Sequence, residues 1–288
     1  MRKLSLALGL LLLPVALWAQ KKTDSVQINV RHLTLIGTPQ ISPAEQQQIA
    51  AEINRLNPPT TLESVAEMGE RLRYALQERG FLKALPGDPD VTIVNRSQSE
   101  EIIDATYHVD LGQQYRLKEI TFSNVDPKKG FAFGTGELRQ AFPIKDGEIF
   151  DTGKIRIGLE KLRELYANNG YINFTPVPNT DAGDAAGTIS LRIDMDEGSI
   201  FRVGKLLLDG VEPAPGVGAK LLEAWKPYEG QVCTGQLLDN YMRETAKDFP
   251  GNYGRRLFQM HEDAEHHVVN YRLELDDPAS ADGRALNR

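Results

Sequence analysis

The chain has 288 residues, with 33 Lys and Arg against 40 Asp and Glu for a net charge of -7, 41% hydrophobic residues and one cysteine. That composition excludes a disordered chain, a collagen and a disulfide-stapled miniprotein. A chain of this length is near the size at which one hydrophobic core splits into several.

Arg2 and Lys3 precede an apolar run from Leu4 to Trp18, followed by Ala19 and the polar Gln20-Lys21-Lys22. Charged, then apolar, then small is the layout of a secretory signal. The run is shorter than the ~20 residues a membrane crossing needs, and Pro14 lies inside it. A cleaved signal peptide over 1–19 is therefore expected, with export of the rest. Cleavage leaves a net charge of -9. An acidic surface repels phosphate backbones, so no nucleic-acid partner is expected. No later stretch has membrane-spanning length, so the mature chain is expected to lack a transmembrane segment.

Residues 28–37 alternate as a strand, Ser42-Pro43 opens a helix over 44–56, and Thr61 caps a second helix carrying Leu62, Val65, Met68, Leu72 and Leu76. That helix ends at Arg79-Gly80-Phe81, and residues 91–95 and 102–112 read as two further strands. The order then recurs. Residues 115–125 alternate, with Leu117 and Glu119 on one face and Ile120 and Phe122 on the other. A short helical segment from Gly136 stops at Pro143. Asp151-Thr152 caps a longer helix with Ile155, Leu159, Leu162 and Tyr166 on one side, ended by Asn169-Gly170. Residues 171–177 read as a short strand that Pro176 marks as an edge, and 188–199 as a half-buried strand.

FRVGKLLLDGV (201–211) follows YRLKEITFSNV (115–125) position by position, and GQVCTGQLLDNYM (230–242) follows GEIFDTGKIRIGL (147–159). This sets Cys233 over Phe150, so a buried thiol is expected. Asp248-Phe249-Pro250-Gly251 replaces the helix-Gly-aromatic junction, and residues 268–278 restore a last strand. The repeat is 86 residues at the opening aromatic and 90 at the helix-ending glycine.

Three such units, joined by DLGQQYRL (110–117) and DEGSIFRV (196–203), resemble POTRA domains, the polypeptide-transport-associated modules of the periplasmic part of BamA-type outer-membrane assembly proteins. LRELYANNGYINF (162–174) followed by residues 188–211 carries the resemblance most fully. It implies an α+β fold of three tandem β-α-α-β-β domains, each a small mixed three-stranded sheet with two helices on one face. The expected divisions are 26–113, 114–199 and 200–278, the third degenerate, with a polar tail over 279–288. The resemblance further implies a periplasmic location beside the outer membrane, and partners that are an outer-membrane barrel assembly protein, unfolded outer-membrane proteins, or both. Ten residues follow Pro278, and even eight barrel strands at ~9–11 residues each need many more. The barrel is therefore expected to come from a separate partner.

The family signature is one of pattern and junction glycines, so it transfers no catalytic residue. In HEDAEHH (261–267) the residue four after His261 is Glu265, and His266 is five away, which does not place two histidines on one helix face as a zincin requires. No nucleophile elbow or dinucleotide fingerprint is found. The expectation is a non-enzymatic binding protein with neither cofactor nor metal. Its candidate sites are strand edges, whose unpaired N–H and C=O groups accept an extended peptide: Val91, Thr92, Ile93 and Val94; Ile172, Asn173, Phe174 and Thr175; and 256–259 in the third unit. The alternative reading is a structural adaptor linking envelope or division complexes.

Overall fold

The structure is a computed structural model and describes residues 27–56, 62–183, 186–210, 212, 214–248 and 258–275. The expected signal peptide, the tail, the Thr61 cap and the 248–251 junction beyond Asp248 lie outside these residues. The described residues pack as two compact units, one up to Leu72 together with Pro86–Val109 and one of Arg73–Leu85 with the residues from Asp110 onward.

The same order of elements appears three times. First come β1 (Gln27–Ile36), α1 (Pro43–Leu56), α2 (Leu62–Gln77), a two-residue β2 (Leu85–Pro86), β3 (Asp90–Arg96) and β4 (Glu100–Asp110). Next are β5 (Arg116–Asn124), α3 (Thr135–Gln140), α4 (Thr152–Ala167), β6 (Thr175–Gly183) and β7 (Thr188–Asp196). The third set is β8 (Arg202–Gly210), α5 (Val217–Trp225), α6 (Leu237–Thr245), β9 (Phe258–Asp263) and β10 (Val268–Leu275). In each sheet the last strand is central. It runs parallel to the first strand and antiparallel to the hairpin strand before it, giving β5-β7-β6 and β8-β10-β9. The first sheet follows the same plan but has four strands where three were expected, because β2 and β3 both pair with β4.

Strict alternation would put Leu117 and Ile120 on opposite faces, yet both are buried. The register of β5 on β7 shifts between Leu117 and Glu119, and this bulge turns Ile120 back to the core side. β8 repeats the device: its register on β10 shifts between Val203 and Leu206, and both are buried. A shift between Val30 and His32 occupies the matching place in β1.

α4 is capped by Asp151, whose carboxylate accepts from the Lys154 N–H at 3.0 Å. It buries Ile155, Leu159, Leu162 and Tyr166 against Leu117, Leu191 and Ile193 of the sheet, each such side chain contributing ~1.5–3 kcal/mol. The third core gathers Val203, Leu206, Leu221, Trp225, Tyr241, Val269, Tyr271 and Leu273. Cys233 is buried there, its Sγ 3.1 Å from Tyr271 Oη. In the first repeat Ile49, Met68, Leu72, Ile103 and Tyr107 are fully buried, and Tyr107 donates to the Val65 carbonyl. No helix among the described residues is long and apolar enough to cross a membrane, which says nothing about barrel strands.

Candidate strand-edge site and the junctions that carry it

β3 holds Val91, Thr92, Ile93 and Val94, and every one of its seven residues is exposed. Its outward-facing groups follow from the ladder. The Glu100 and His108 carbonyls of β4 accept from Ser97 (2.7 Å) and Gly87 (2.8 Å), on the β3 side. Alternation along β4 turns Asp104 and Thr106 the same way, and Ile103 and Ala105 toward β1. Ile93 and Val91 stand opposite Ile103 and Ala105. Their own N–H and C=O groups therefore point away from β4, to the open side of the sheet. Both side chains lie on the face of the buried Ile103 and Ala105, yet Val91 is 37% and Ile93 44% exposed. Backbone valences and apolar side chains thus come together along one rim, which is what an added strand pairs with.

The second proposed edge is corrected by the structure. Ile172, Asn173 and Phe174 lie in the turn after α4, and only Thr175 is on β6. Phe174 is buried and stacks on Tyr166 with ring centroids 3.8 Å apart. Ile172 packs against the third core, and the Asn173 amide donates to Glu262 Oε2 at 3.1 Å. Alternation in YINF looks like a strand, but a chain leaving a helix with its aromatic over Tyr166 needs these residues for the turn. In the third repeat, Phe258 and Gln259 are on β9, while 256 and 257 lie outside the described residues.

The sequence marks Gly80 and Gly170 as helix-ending glycines and as register marks of the repeat, and the structure gives them a further task. Gly170 takes φ +88 at the end of α4, and the Tyr171 N–H returns to the Tyr166 carbonyl at 3.0 Å, a Schellman ending. The Gly170 carbonyl then accepts from the Phe201 N–H at 2.9 Å, tying the helix end to the start of the next repeat. Gly80 does the same with Tyr115 at 2.9 Å.

Beyond each tie the network repeats. Gly147 and Gly230 donate to Leu117 and Val203, Phe150 and Cys233 donate to Tyr115 and Phe201, and the Arg116 and Arg202 guanidinia donate to Gly147 and Gly230. The aromatic-Arg pairs at 115–116 and 201–202 were the available signal.

Glu197, just past β7, accepts from Tyr166 Oη and from the Ala132 N–H, pinning the 124–134 loop. Burial, reinforced by that carboxylate, pushes the Tyr166 phenol well above its ordinary range. Burial likewise raises the Cys233 thiol, against a smaller opposing effect of its hydrogen bond to Tyr271.

An open depression of about 620 Å³ lies beside Arg139, Phe142, Lys145 and Lys154. Two of its cations are engaged: Arg139 donates to the Ile144 carbonyl and Asp146, and Lys154 sits 3.5 Å from Glu148. In the 261–267 segment, His261 to Asp263 belong to β9, and His266 Nδ1 meets Asp263 at 2.9 Å in the following turn. Among the described residues no group of three or more His, Cys, Asp and Glu is placed to hold a metal ion.

Residues 115–198 match the model of the POTRA family, described as surface antigen variable number repeat. The middle repeat is a POTRA domain. The chain is similar to the crystal structure of Haemophilus influenzae BamA POTRA3-5, at 16% identity and a TM-score of 0.58, covering 88% of this chain and 96% of that one. It is also similar to POTRA1-3 of the periplasmic domain of Omp85 from Anabaena (12% identity, 87% and 96% covered, TM-score 0.37). A third similar structure is BamA from Haemophilus ducreyi lacking POTRA domains 1-3 (18% identity, 60% and 30% covered, TM-score 0.40). The overall architecture is three tandem POTRA-like repeats.

Proposed function

We propose that this protein is an exported, non-enzymatic POTRA scaffold that binds extended polypeptides by strand addition. It contributes to the assembly or transport of outer-membrane proteins together with an outer-membrane barrel partner. The observation that carries this reading is the open rim of β3, where Val91 and Ile93 present unpaired backbone groups and exposed apolar side chains together. Backbone pairing is indifferent to most side chains, which suits many unfolded clients.

Val91→Pro in the full chain tests it. The lost N–H faces outward, so the pairing of β3 with β4 keeps its hydrogen bonds. A fluorescein-labelled ten-residue peptide of alternating Val and Thr should bind about tenfold more weakly, with the melting temperature little changed. Undiminished binding by the folded variant sinks the use of this edge. Cross-linking in the native envelope followed by mass spectrometry tests the wider role: a barrel assembly protein recovered with many outer-membrane clients supports it. One stoichiometric inner-membrane partner replaces it with an adaptor.

A further inference from the structure

β6 lies at the edge of its own sheet and matches β3 in topology, but it differs in which backbone groups it turns outward. Met195 stands opposite Pro176 in the β6–β7 register, and its carbonyl accepts from the Val125 N–H at 3.0 Å. Val125 directly follows β5, so the backbone groups of Met195 face β5 and not β6. The Pro176–Met195 pair is therefore one that exchanges no hydrogen bonds, and the nitrogen and carbonyl of Pro176 face the open edge. The period of two carries this to Pro178, opposite Ile193, to Thr180, opposite Leu191, and to Ala182, opposite Ile189. The outward row of β6 is Pro176, Pro178, Thr180 and Ala182.

Proline has no N–H, so two of those four outward positions donate nothing. Pro176 is buried and Pro178 exposed, so a strand laid along β6 would meet the Pro178 ring first and find donors only at Thr180 and Ala182, where the strand is about to end at Gly183. In β3 the outward row holds no proline. The pair at 176 and 178 leaves the internal ladder intact, since inward-facing nitrogens belong to Thr175, Val177, Asn179 and Asp181. These prolines sit where they block the edge at no internal hydrogen-bonding loss.

We infer that Pro176 and Pro178 close the β6 edge to strand addition, so that the second repeat is guarded while β3 of the first repeat takes the extended polypeptide. This rests on the strand-addition reading for its consequence at β3, but the closure of β6 is separately measurable. The experiment is residue-resolved amide exchange on the full chain, with and without the alternating Val-Thr peptide at saturating concentration. In the unaltered chain the peptide should slow exchange at Val91 and Ile93 about tenfold and leave Thr180 and Ala182 unchanged. In Pro176→Thr/Pro178→Thr, exchange at Thr180 and Ala182 should also slow about tenfold, and the new amides at 176 and 178 should join them.

Pro178→Thr alone changes an exposed residue and restores three consecutive outward donors. It serves the same purpose if the double variant does not fold. Protection of Thr180 and Ala182 in the unaltered chain overturns the guard while leaving strand addition standing. No gain of protection in the folded proline replacements also overturns it. If Val91 and Ile93 stay unprotected while the replacements gain protection, the guard holds and the β3 reading falls.

Discussion

In the second repeat Gly158 of α4 makes room for the ring of Phe142, just past the end of α3; a Cβ on Gly158 would lie 2.1 Å from Phe142 Cδ1. In the third repeat, 83 residues on in each case, the same two positions are Tyr241 and Trp225. These rings meet edge to face, with centroids 4.9 Å apart and planes at 83°. Nearby, Phe150 of the second repeat is replaced by Cys233. Leu191, which stands opposite Ile120, is replaced by Tyr271, which stands opposite Leu206. Three of these positions carry a larger side chain in the third repeat and one a smaller, while Leu138 and Leu221 stay fully buried in both. The backbone network at the first strand is the same throughout. A repeat of this kind is defined by its hydrogen-bonded frame, within which corresponding core positions are filled by side chains of different size.

The largest test of that frame is Gly170→Ala. Its φ of +88 strains any Cβ, and the added atom would meet Val232 Cγ1 at 2.5 Å and Ile200 Cγ2 at 2.9 Å. A loss of about 3 kcal/mol is expected in urea unfolding, from backbone strain and overpacking together.

Gly158→Ala should cost about 2 kcal/mol through overpacking against Phe142. Combining it with Phe142→Leu should cost less than the two single effects added, a coupling that a double-mutant cycle reads. Additive losses would show that the contact between Gly158 and Phe142 is not the cause.

Asp151→Ala should cost about 1 kcal/mol by removing the cap of α4. Gln236→Ala at the start of α6 should change little, because Gln236 makes no side-chain capping bond. Equal effects would erase the distinction between the two helix starts.

The smallest effect separates Cys233 from Phe150. Burial favours the neutral thiol in the folded chain, so its contribution is fully present below the unfolded thiol pKa of about 8.5 and is lost as pH rises toward the folded value. The urea midpoint should fall from pH 8 to pH 10, and Cys233→Ala should flatten part of that fall. A variant that falls as steeply as the parent would remove the thiol from the account.

Much of the fold was legible because helix and strand periods are local. Ile155, Leu159, Leu162 and Tyr166 sit at helical spacing, and the match of Cys233 to Phe150 by itself places the thiol in a core. The site was legible in part. Val91 to Val94 are on an edge strand, as their β-branched run indicates. Ile172 to Phe174 read the same way but are a turn, because the stacking of Phe174 on Tyr166 is a tertiary contact that alternation does not encode. Leu117 and Ile120 both face the core only through a bulge, which exists in the pairing of two strands and not in either one.

By itself, the sequence determined that the chain is a repeat of strands and helices with glycine-ended helices, since periodicity and residues suited to positive φ act within a few positions of the chain. Which backbone groups face outward on β3 and β6, and hence that Pro176 and Pro178 stand in the outward row, follows from strand pairing across the fold. The direction of an N–H is set by the neighbouring strand that satisfies every other one, and that neighbour arrives from elsewhere in the chain.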